Sequence, residues 1–375
     1  MQRGASNLYF PVVESALSIP PWMPNLREKL GAYWGPLSNA FTEDRAKHIE
    51  KCCEDASFQY VLDSIGKTPS ELADLIEMEI NQDAEIDVDD LRLAEYRQFL
   101  NSPTDVDNEG FEFEIRHEPV PPVLEGFMSD VVRAVRLRQV QAIRGFTRIN
   151  PPGDLEEGNI SLLSEHKLPW LPAIEVRGEG IFVALDGEQV EIWEQGTAVQ
   201  ERVRRLNDAH GKAWEERHGE DSFPREISAR FLLCHTLSHI VMKQLTLECG
   251  YSSSAIQERL YADGEDGEMA GFLIYTATSG ADGTLGGLQR QGRSARFGEM
   301  FVNAVRSAEW CSSDPLCIED LMGASASFSG SACHACVLAP ETACEEFNHF
   351  LDRALIVGTP DQPELGYCSG LLEKY

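Results

Sequence analysis

Five of the chain's ten cysteines lie within residues 311–344, and this cluster limits the possible folds more than any other feature. The segment SACHACVLAPETAC, residues 331–344, holds three of them, including the pair in Cys333-His334-Ala335-Cys336. Two cysteines separated by two residues are typical of structural zinc sites. The cluster therefore predicts a zinc site that holds the C-terminal part of the fold together.

A tetrahedral zinc site needs about four thiolate or imidazole ligands. The first-choice set is Cys317, Cys333, Cys336 and Cys344, with Cys311 as the substitute for the fourth ligand. Cys344 lies at the predicted start of a helix, where the helix dipole favours a thiolate. Four thiolates leave no coordination position for water, so the predicted zinc is structural rather than catalytic.

Composition restricts the compartment and the partners. The N-terminal residues lack a signal-peptide pattern, and no run of about 18 apolar residues is present, so we predict a soluble cytoplasmic protein with no membrane contact. In that reducing compartment, ten cysteines favour metal binding over disulfides. The net charge of -30 repels phosphate and argues against a free-standing nucleic-acid binder, although Arg133, Arg136, Arg138 and Arg144 are candidates for phosphate contacts within a complex.

Hydrophobic periodicity predicts an α+β fold in three regions. Residues 1–109 are mainly helical after an extended start, residues 110–222 mix strands and helices around a sheet, and residues 223–375 form an α/β domain that carries the zinc site. A helix is predicted to start at Thr68-Pro69, where a cap residue precedes proline.

Further elements are predicted along the last two regions. Residues 123–138 are helix-like, residues 197–217 form a charged helix, residues 224–250 form a buried helix that ends on Gly250, residues 271–278 form a core strand, and residues 295–311 and 341–356 form two more helices.

Two other motifs have catalytic alternatives. His235 and His239 lie one helical turn apart, but Thr236 replaces the glutamate of zinc proteases, so we interpret both as core histidines rather than a second metal site. The glycine-rich loop of residues 280–287 lacks the lysine of a P-loop and is interpreted as a tight turn. The rival hypothesis is a metal-dependent nuclease or hydrolase that uses this loop with His235, His239 and Asp282.

Alternating acids at residues 83–90 resemble a calcium loop only at first sight. The glycine and glutamate that such a loop requires are replaced by Val88 and Ala94. We interpret the segment as a solvated acidic face that precedes a helix.

Three segments together resemble the helicase-associated zinc-binding domain of MrfA-type helicases: LLCHTLSH at 232–239, GFLIYTATSGADGTLGGL at 271–288, and the cysteine-rich residues 311–353. Residues 3–22, 93–100 and 144–152 extend the resemblance to the DrmB family of the bacterial DISARM antiphage system.

The resemblance implies zinc held by Cys333, Cys336 and Cys344 with Cys317 or Cys311. It also implies an accessory subunit without an active site that works with a DrmA-type helicase and meets foreign DNA through that complex. Members of the family usually carry a further N-terminal portion before the segment that corresponds to residues 3–22.

Overall fold

The computed structural model describes residues 9–19, 30–53, 55–65, 68–80, 88–102, 112–148, 160–166, 170–219, 224–262, 267–276, 287–319 and 328–372. The chain divides into two compact units, residues 20–94 and residues 1–19 with 95–375. The domain boundaries predicted at residues 109 and 222 stay a prediction.

The unit of residues 20–94 is helical in its described parts. Its helices are α1 (Trp34–Ser38), α2 (Thr42–Cys52), α3 (Ala56–Ile65), α4 (Pro69–Ile80) and the first part of α5 (Val88–Asn101), and a 3₁₀ turn lies at Gly31–Tyr33. Helix α4 begins at Pro69, as predicted, and the Thr68 carbonyl accepts the Leu72 amide at 2.9 Å. The buried core of this unit consists of Leu30, Leu37, Ile49, Phe58, Leu62, Ile65, Leu72, Ala73 and Ile76.

An antiparallel sheet forms the frame of the larger unit. Its strands are β1 (Tyr9–Leu17), β2 (Glu114–Glu118), β3 (Met128–Arg148), β4 (Ser161–Leu162), β5 (Ala173–Leu185), β6 (Ile256–Tyr261) and β7 (Gly271–Thr276). Five of them are ordered β1-β3-β5-β7-β6, and β2 and β4 also pair with β3. Together with the helices, this sheet confirms the predicted α+β class.

Strand β3 corrects the helix predicted for residues 123–138. Only a short 3₁₀ turn at Pro122–Leu124 precedes 21 extended residues. The run from Val131 to Ala134 is buried at every position, because β3 is covered by several neighbouring strands and its register shifts near Ala134. Continuous burial removes the alternation that normally identifies a strand, so the apolar positions matched a helical period instead.

The remaining helices follow β5 and β7. They are α6 (Gly187–Glu194), α7 (Thr197–His218), α8 (Ala229–Cys249), α9 (Ser294–Ala308), α10 (Leu316–Glu319), α11 (Ala354–Val357) and α12 (Ser369–Leu372), with 3₁₀ turns at Gln289–Gly292, Glu341–Ala343 and Pro363–Leu365. The predicted helices at 197–217, 224–250 and 295–311 correspond to α7, α8 and α9. None of the described helices has the length and apolar character needed to cross a bilayer.

Helix α8 is the central helix of the larger unit. Every residue from Ala229 to Met242 is buried, which a helix can sustain only when protein surrounds all of its faces. The Ser228 hydroxyl accepts the Phe231 amide at the N-terminus, and Gly250 ends the helix in the left-handed conformation at φ 71°, as predicted.

Successive side chains of strands β6 and β7 point to opposite faces of the sheet, and both faces are covered by other parts of the protein. Ile256, Leu260 and Phe272 belong to the core that contains α8. The intervening positions face the other way, where Tyr261 packs edge-on against Phe182 and Phe99 stacks on Phe182 at 4.6 Å. A residue of β6 at an even number therefore faces α8, and its odd-numbered neighbour faces α5.

Gly271 shows how closely β5 and β7 approach. A Cβ atom at this position would lie 2.4 Å from the Val183 carbonyl oxygen, which is a backbone atom of the neighbouring strand. We expect Gly271→Ala to lower the free energy of unfolding by about 1–3 kcal/mol, because only a backbone shift relieves the overlap. Gly187→Ala is the matched control, since no atom lies within 4 Å of its added Cβ. Urea titrations of both variants measure the difference, and equal midpoints would contradict the expectation.

The C-terminal segment also departs from prediction. Residues 341–356 do not form one helix: after the 3₁₀ turn Glu341–Ala343 the chain makes turns until α11. Phe347, Asn348 and Phe350 have φ values of 53°, 64° and 59°, and such left-handed residues interrupt a right-handed helix. Cys344 therefore does not lie at a helix start.

Candidate metal centres

The first candidate centre is the four-cysteine cluster, formed by Cys311, Cys317, Cys333 and Cys336. Cys311 follows α9, Cys317 lies in α10, and the other two flank a turn. The sulfur atoms of Cys311 and Cys333 are 3.4 Å apart, those of Cys333 and Cys336 3.6 Å, and those of Cys317 and Cys336 3.7 Å.

These sulfur separations test whether zinc fits. A tetrahedron with zinc–sulfur bonds of about 2.3 Å has edges of about 3.8 Å. A disulfide would bring two sulfur atoms to about 2.05 Å, and all ten cysteines of the chain are free thiols. These three separations in the four-cysteine cluster are therefore close to those around a tetrahedral zinc ion.

Backbone donors and cations surround this cluster. The Cys333 amide donates to Cys336 Sγ at 3.2 Å, and the Ser313 amide donates to Cys311 Sγ at 3.4 Å. Lys243 Nζ donates to the Ala335 and Cys336 carbonyls at 2.6 and 2.9 Å. Such outer contacts orient ligands and offset part of the negative charge that four thiolates would place around one Zn²⁺.

Asp314 holds the loop between α9 and α10 in place. Its carboxylate accepts the Cys311 amide at 2.7 Å and the Ile318 amide at 3.1 Å. Arg353, which is fully buried, donates to the same carboxylate at 2.6 Å and to the Ala308 carbonyl at 2.8 Å. These contacts hold Cys311 and the start of α10, which contains Cys317, to the same carboxylate.

The thiols of the four-cysteine cluster differ in acidity. Burial raises the pKa of Cys336 to about 11 and also raises the pKa of Cys317. Burial acts in the same direction on Cys333 and is the largest single effect, but hydrogen bonds from the Cys311 and Cys336 thiols and from the Ala335 and Cys336 amides together outweigh it and lower the pKa of Cys333 to about 7. A metal ion that enters the cluster must therefore displace protons at neutral pH.

The second candidate centre, the histidine cluster, consists of His235, His239, Glu258 and Cys344. Glu258 Oε1 lies 3.1 Å from His235 Nε2 and 3.3 Å from His239 Nε2. His235 Nε2 lies 3.2 Å from Cys344 Sγ. All four side chains are buried, so the cluster has no contact with bulk solvent.

Three elements bring the histidine cluster together. Helix α8 presents both imidazoles on one face, one turn apart, and the even-numbered Glu258 of β6 faces that helix. The C-terminal segment adds Cys344, and the Asp352 amide anchors this segment by donating to Thr236 Oγ1 of α8 at 3.0 Å.

The structure places the five sequence-predicted ligands in two clusters. Cys317, Cys333 and Cys336 lie together, and Cys311, the substitute in the sequence analysis, is their fourth member. Cys344 lies with the two histidines instead. His235 and His239 are buried, as expected of core histidines, but their neighbours are a carboxylate and a thiol rather than apolar groups alone.

Glu258 is the candidate ligand that the sequence analysis missed. Its position in the strand could have identified it. Glu258 lies between Ile256 and Leu260 on the face of β6 that points into the core. A charged residue on the buried face of a strand requires a partner. Asp282, the acid of the rival hypothesis, and the loop at 280–286 lie outside the described residues, as do residues 83–87.

The four candidate arginines of β3 are engaged within the protein. Three of them contact glutamates, and one contacts a serine hydroxyl. The pairs are Arg133 with Glu118 at 2.6 Å, Arg136 with Glu114 at 4.0 Å, Arg144 with Glu14 at 3.1 Å, and Arg138 with Ser18 at 3.0 Å. The three glutamates offset part of the local positive charge that phosphate binding would use.

Comparison with known proteins agrees with the zinc-binding character of this region. The family described as MrfA Zn-binding domain matches residues 237–337, which include all members of the four-cysteine cluster. A curated relative, the "DISARM protein DrmB" of Bacillus paralicheniformis, is 32% identical over an alignment 391 positions long that covers 99% of this chain. The alignment covers 66% of that relative, so this chain spans just under two thirds of its length. The chain is therefore a DrmB-like protein that carries an MrfA Zn-binding domain.

Proposed function

We propose that this chain is a non-catalytic, zinc-stabilised subunit of a DISARM-type antiphage complex in the bacterial cytoplasm. It docks on a DrmA-type helicase and supports the engagement of foreign DNA by that helicase. The observation that carries the proposal is the similarity to the DISARM protein DrmB along 99% of the chain.

In this proposal the four-cysteine cluster holds the zinc ion, and its role is structural. The cluster joins the end of α9, helix α10 and the turn at residues 333–336. Four thiolate ligands complete a tetrahedron and leave no position for a substrate or a water nucleophile.

Burial argues against the nuclease or hydrolase alternative. His235 is 0% exposed and His239 is 1% exposed, so neither imidazole reaches a polynucleotide at the surface. A general acid or base must lie within hydrogen-bond distance of the group that it serves.

Charge favours a protein partner over direct DNA contact. The chain carries 32 basic and 62 acidic residues, and a net charge of -30 repels a phosphate backbone. The same field attracts a basic surface on another protein and accelerates its association. DNA then meets this chain through the complex.

Co-expression of the tagged chain with the DrmA-type helicase encoded near its gene tests the docking. We expect a stoichiometric complex whose DNA-stimulated ATPase rate exceeds that of the helicase alone. An unrelated protein of similar size and net charge serves as the control for non-specific electrostatic attraction. If the chain elutes without the helicase and leaves its ATPase rate unchanged, the accessory role is contradicted.

A cleavage assay tests the alternative separately. The purified chain is incubated with plasmid and single-stranded DNA in the presence of Mg²⁺, Mn²⁺ or Zn²⁺. We expect no cleavage. Cleavage that disappears in Asp282→Ala but persists in Asp361→Ala, a substitution of an exposed acid, would replace the accessory role with the nuclease hypothesis.

A further inference from the structure

We propose that the histidine cluster is a second metal centre, in which His235, His239, Glu258 and Cys344 bind a Zn²⁺ ion separate from that of the four-cysteine cluster. The two centres share no residue. The proposal rests on the geometry, the hydrogen-bond inventory and the charge of the histidine cluster.

The geometry matches a tetrahedral ion. Zinc bonds of about 2.0–2.2 Å to nitrogen and oxygen place such ligands about 3.3 Å apart. The two distances from Glu258 Oε1 to the imidazole nitrogens are 3.1 and 3.3 Å. All four ligand atoms lie within 4.8 Å of one another, so one ion can contact them together.

The hydrogen bonds around His239 leave a lone pair directed into the cluster. His239 Nδ1 lies 3.0 Å from the Val337 carbonyl oxygen, which only accepts, so Nδ1 carries the proton. In the neutral imidazole Nε2 is then an acceptor, yet it faces an oxygen of the Glu258 carboxylate. Two acceptors at 3.3 Å repel each other unless a cation or a proton lies between them.

The contacts of Glu258 Oε1 are further evidence for a cation in the cluster. His235 Nε2 and His239 Nε2 both approach this single oxygen, and Cys344 Sγ approaches His235 Nε2. A proton can bridge one pair of these atoms, whereas one ion satisfies all four ligands at once. The convergence of four donor atoms on a shared space is therefore the arrangement of a metal centre.

Charge balance also favours zinc. One thiolate, one carboxylate and two neutral imidazoles bring two negative charges, which a divalent cation neutralises. A neutral assembly is the form that a fully buried site tolerates, because an uncompensated charge away from water is costly. Mixed nitrogen, oxygen and sulfur ligands are typical of Zn²⁺, and four protein ligands close the site.

Outer contacts orient three of the four ligands. Val337 fixes the imidazole of His239, and the Asn348 amide donates to Cys344 Sγ at 3.2 Å. The Ser238 hydroxyl, which lies between the two histidines on α8, contacts Glu258 Oε2, and the Glu345 amide donates to Oε1 at 3.3 Å, which leaves a second lone pair of Oε1 for the ion. Partners of this kind are typical of metal ligands and preserve their orientation.

The wild-type chain provides the first test. Elemental analysis of the zinc-loaded, dialysed full-length protein should find two zinc ions per chain. X-ray absorption at the zinc edge should find five sulfur and three nitrogen or oxygen ligands shared by the two ions. One zinc per chain with sulfur ligands alone would overturn this inference and would leave the four-cysteine cluster as the zinc site.

Substitution provides the second test. Cys344→Ala should lower the zinc content from two ions to one and leave only sulfur ligands in the absorption spectrum. Cys368→Ala is the matched control, since Cys368 is also buried but belongs to neither cluster, and it should retain both ions. Two ions with an unchanged ligand ratio in Cys344→Ala would contradict the assignment. The wild-type spectrum decides the question if the variant does not fold.

Discussion

Cys336→Ser is expected to unfold the C-terminal part of the protein and to produce aggregates on expression. Cys336 Sγ lies 3.6 Å from Cys333 Sγ and 3.7 Å from Cys317 Sγ. The substitution therefore removes one of the four thiolate ligands that the zinc ion needs. Structural zinc contributes about 10–16 kcal/mol in small zinc-binding peptides, which is comparable to the ~5–15 kcal/mol net stability of a typical domain. Without the fourth thiolate, little stability remains for the segments that this cluster joins.

Circular dichroism during thermal unfolding measures this effect, together with the zinc content of the soluble fraction. A strong chelator added to the wild-type protein should reproduce the loss. Cys368→Ser is the control, because it places a hydroxyl at another buried position outside both clusters, and we expect it to lower the free energy of unfolding by about 1–3 kcal/mol. A soluble Cys336→Ser protein with the wild-type melting temperature would contradict a structural role for zinc at this cluster.

Glu95→Ala is expected to destabilise the larger unit by about 3–5 kcal/mol. Glu95 and Arg259 are each 1% exposed, and two hydrogen bonds of 2.6 and 2.7 Å join their side chains. Arg259 is an odd-numbered residue of β6, so it lies on the face of the sheet opposite Glu258. Removal of the carboxylate leaves a buried guanidinium whose remaining partners include Ser15 of β1.

Arg97→Ala separates this effect from any general weakness of α5. Arg97 pairs with Glu268, but their side chains are 35% and 48% exposed, and such pairs contribute about 0–1 kcal/mol. Urea unfolding of the two variants, followed by tryptophan fluorescence, should give a large shift for Glu95→Ala and almost none for Arg97→Ala. Equal midpoints would mean that the buried pair is not required for stability.

Local chemistry made much of the fold predictable. Helix α4 begins where Thr68-Pro69 predicts, and α8 ends on Gly250, because these residues act through their own backbone angles and hydrogen bonds. The core strand β7 was also predictable from its uninterrupted apolar residues. Signals of this kind need only a few neighbours along the chain.

Two elements were not predictable, for related reasons. Strand β3 is buried on consecutive residues by the strands around it, and this coverage exists only in the assembled sheet. The turns after Ala343 depend on contacts with distant parts of the chain, among them the hydrogen bond that the Asp352 amide donates to Thr236 Oγ1 of α8 at 3.0 Å. A helical period in the sequence does not show that tertiary contacts favour a different backbone conformation.

For the candidate metal centres, too, some ligands were predictable from the sequence and others were not. The sequence by itself determined that this chain concentrates thiols near its C-terminal end and that Cys333 and Cys336 can share an ion, because two intervening residues set that distance locally. Only the tertiary structure decided that Cys311 joins them, that Cys344 lies beside His235, and that Glu258 completes the histidine cluster. Ligands of one ion must lie within about 2.0–2.3 Å of a common point. For residues up to 109 positions apart, that proximity depends on sheet register and helix packing rather than on spacing in the sequence.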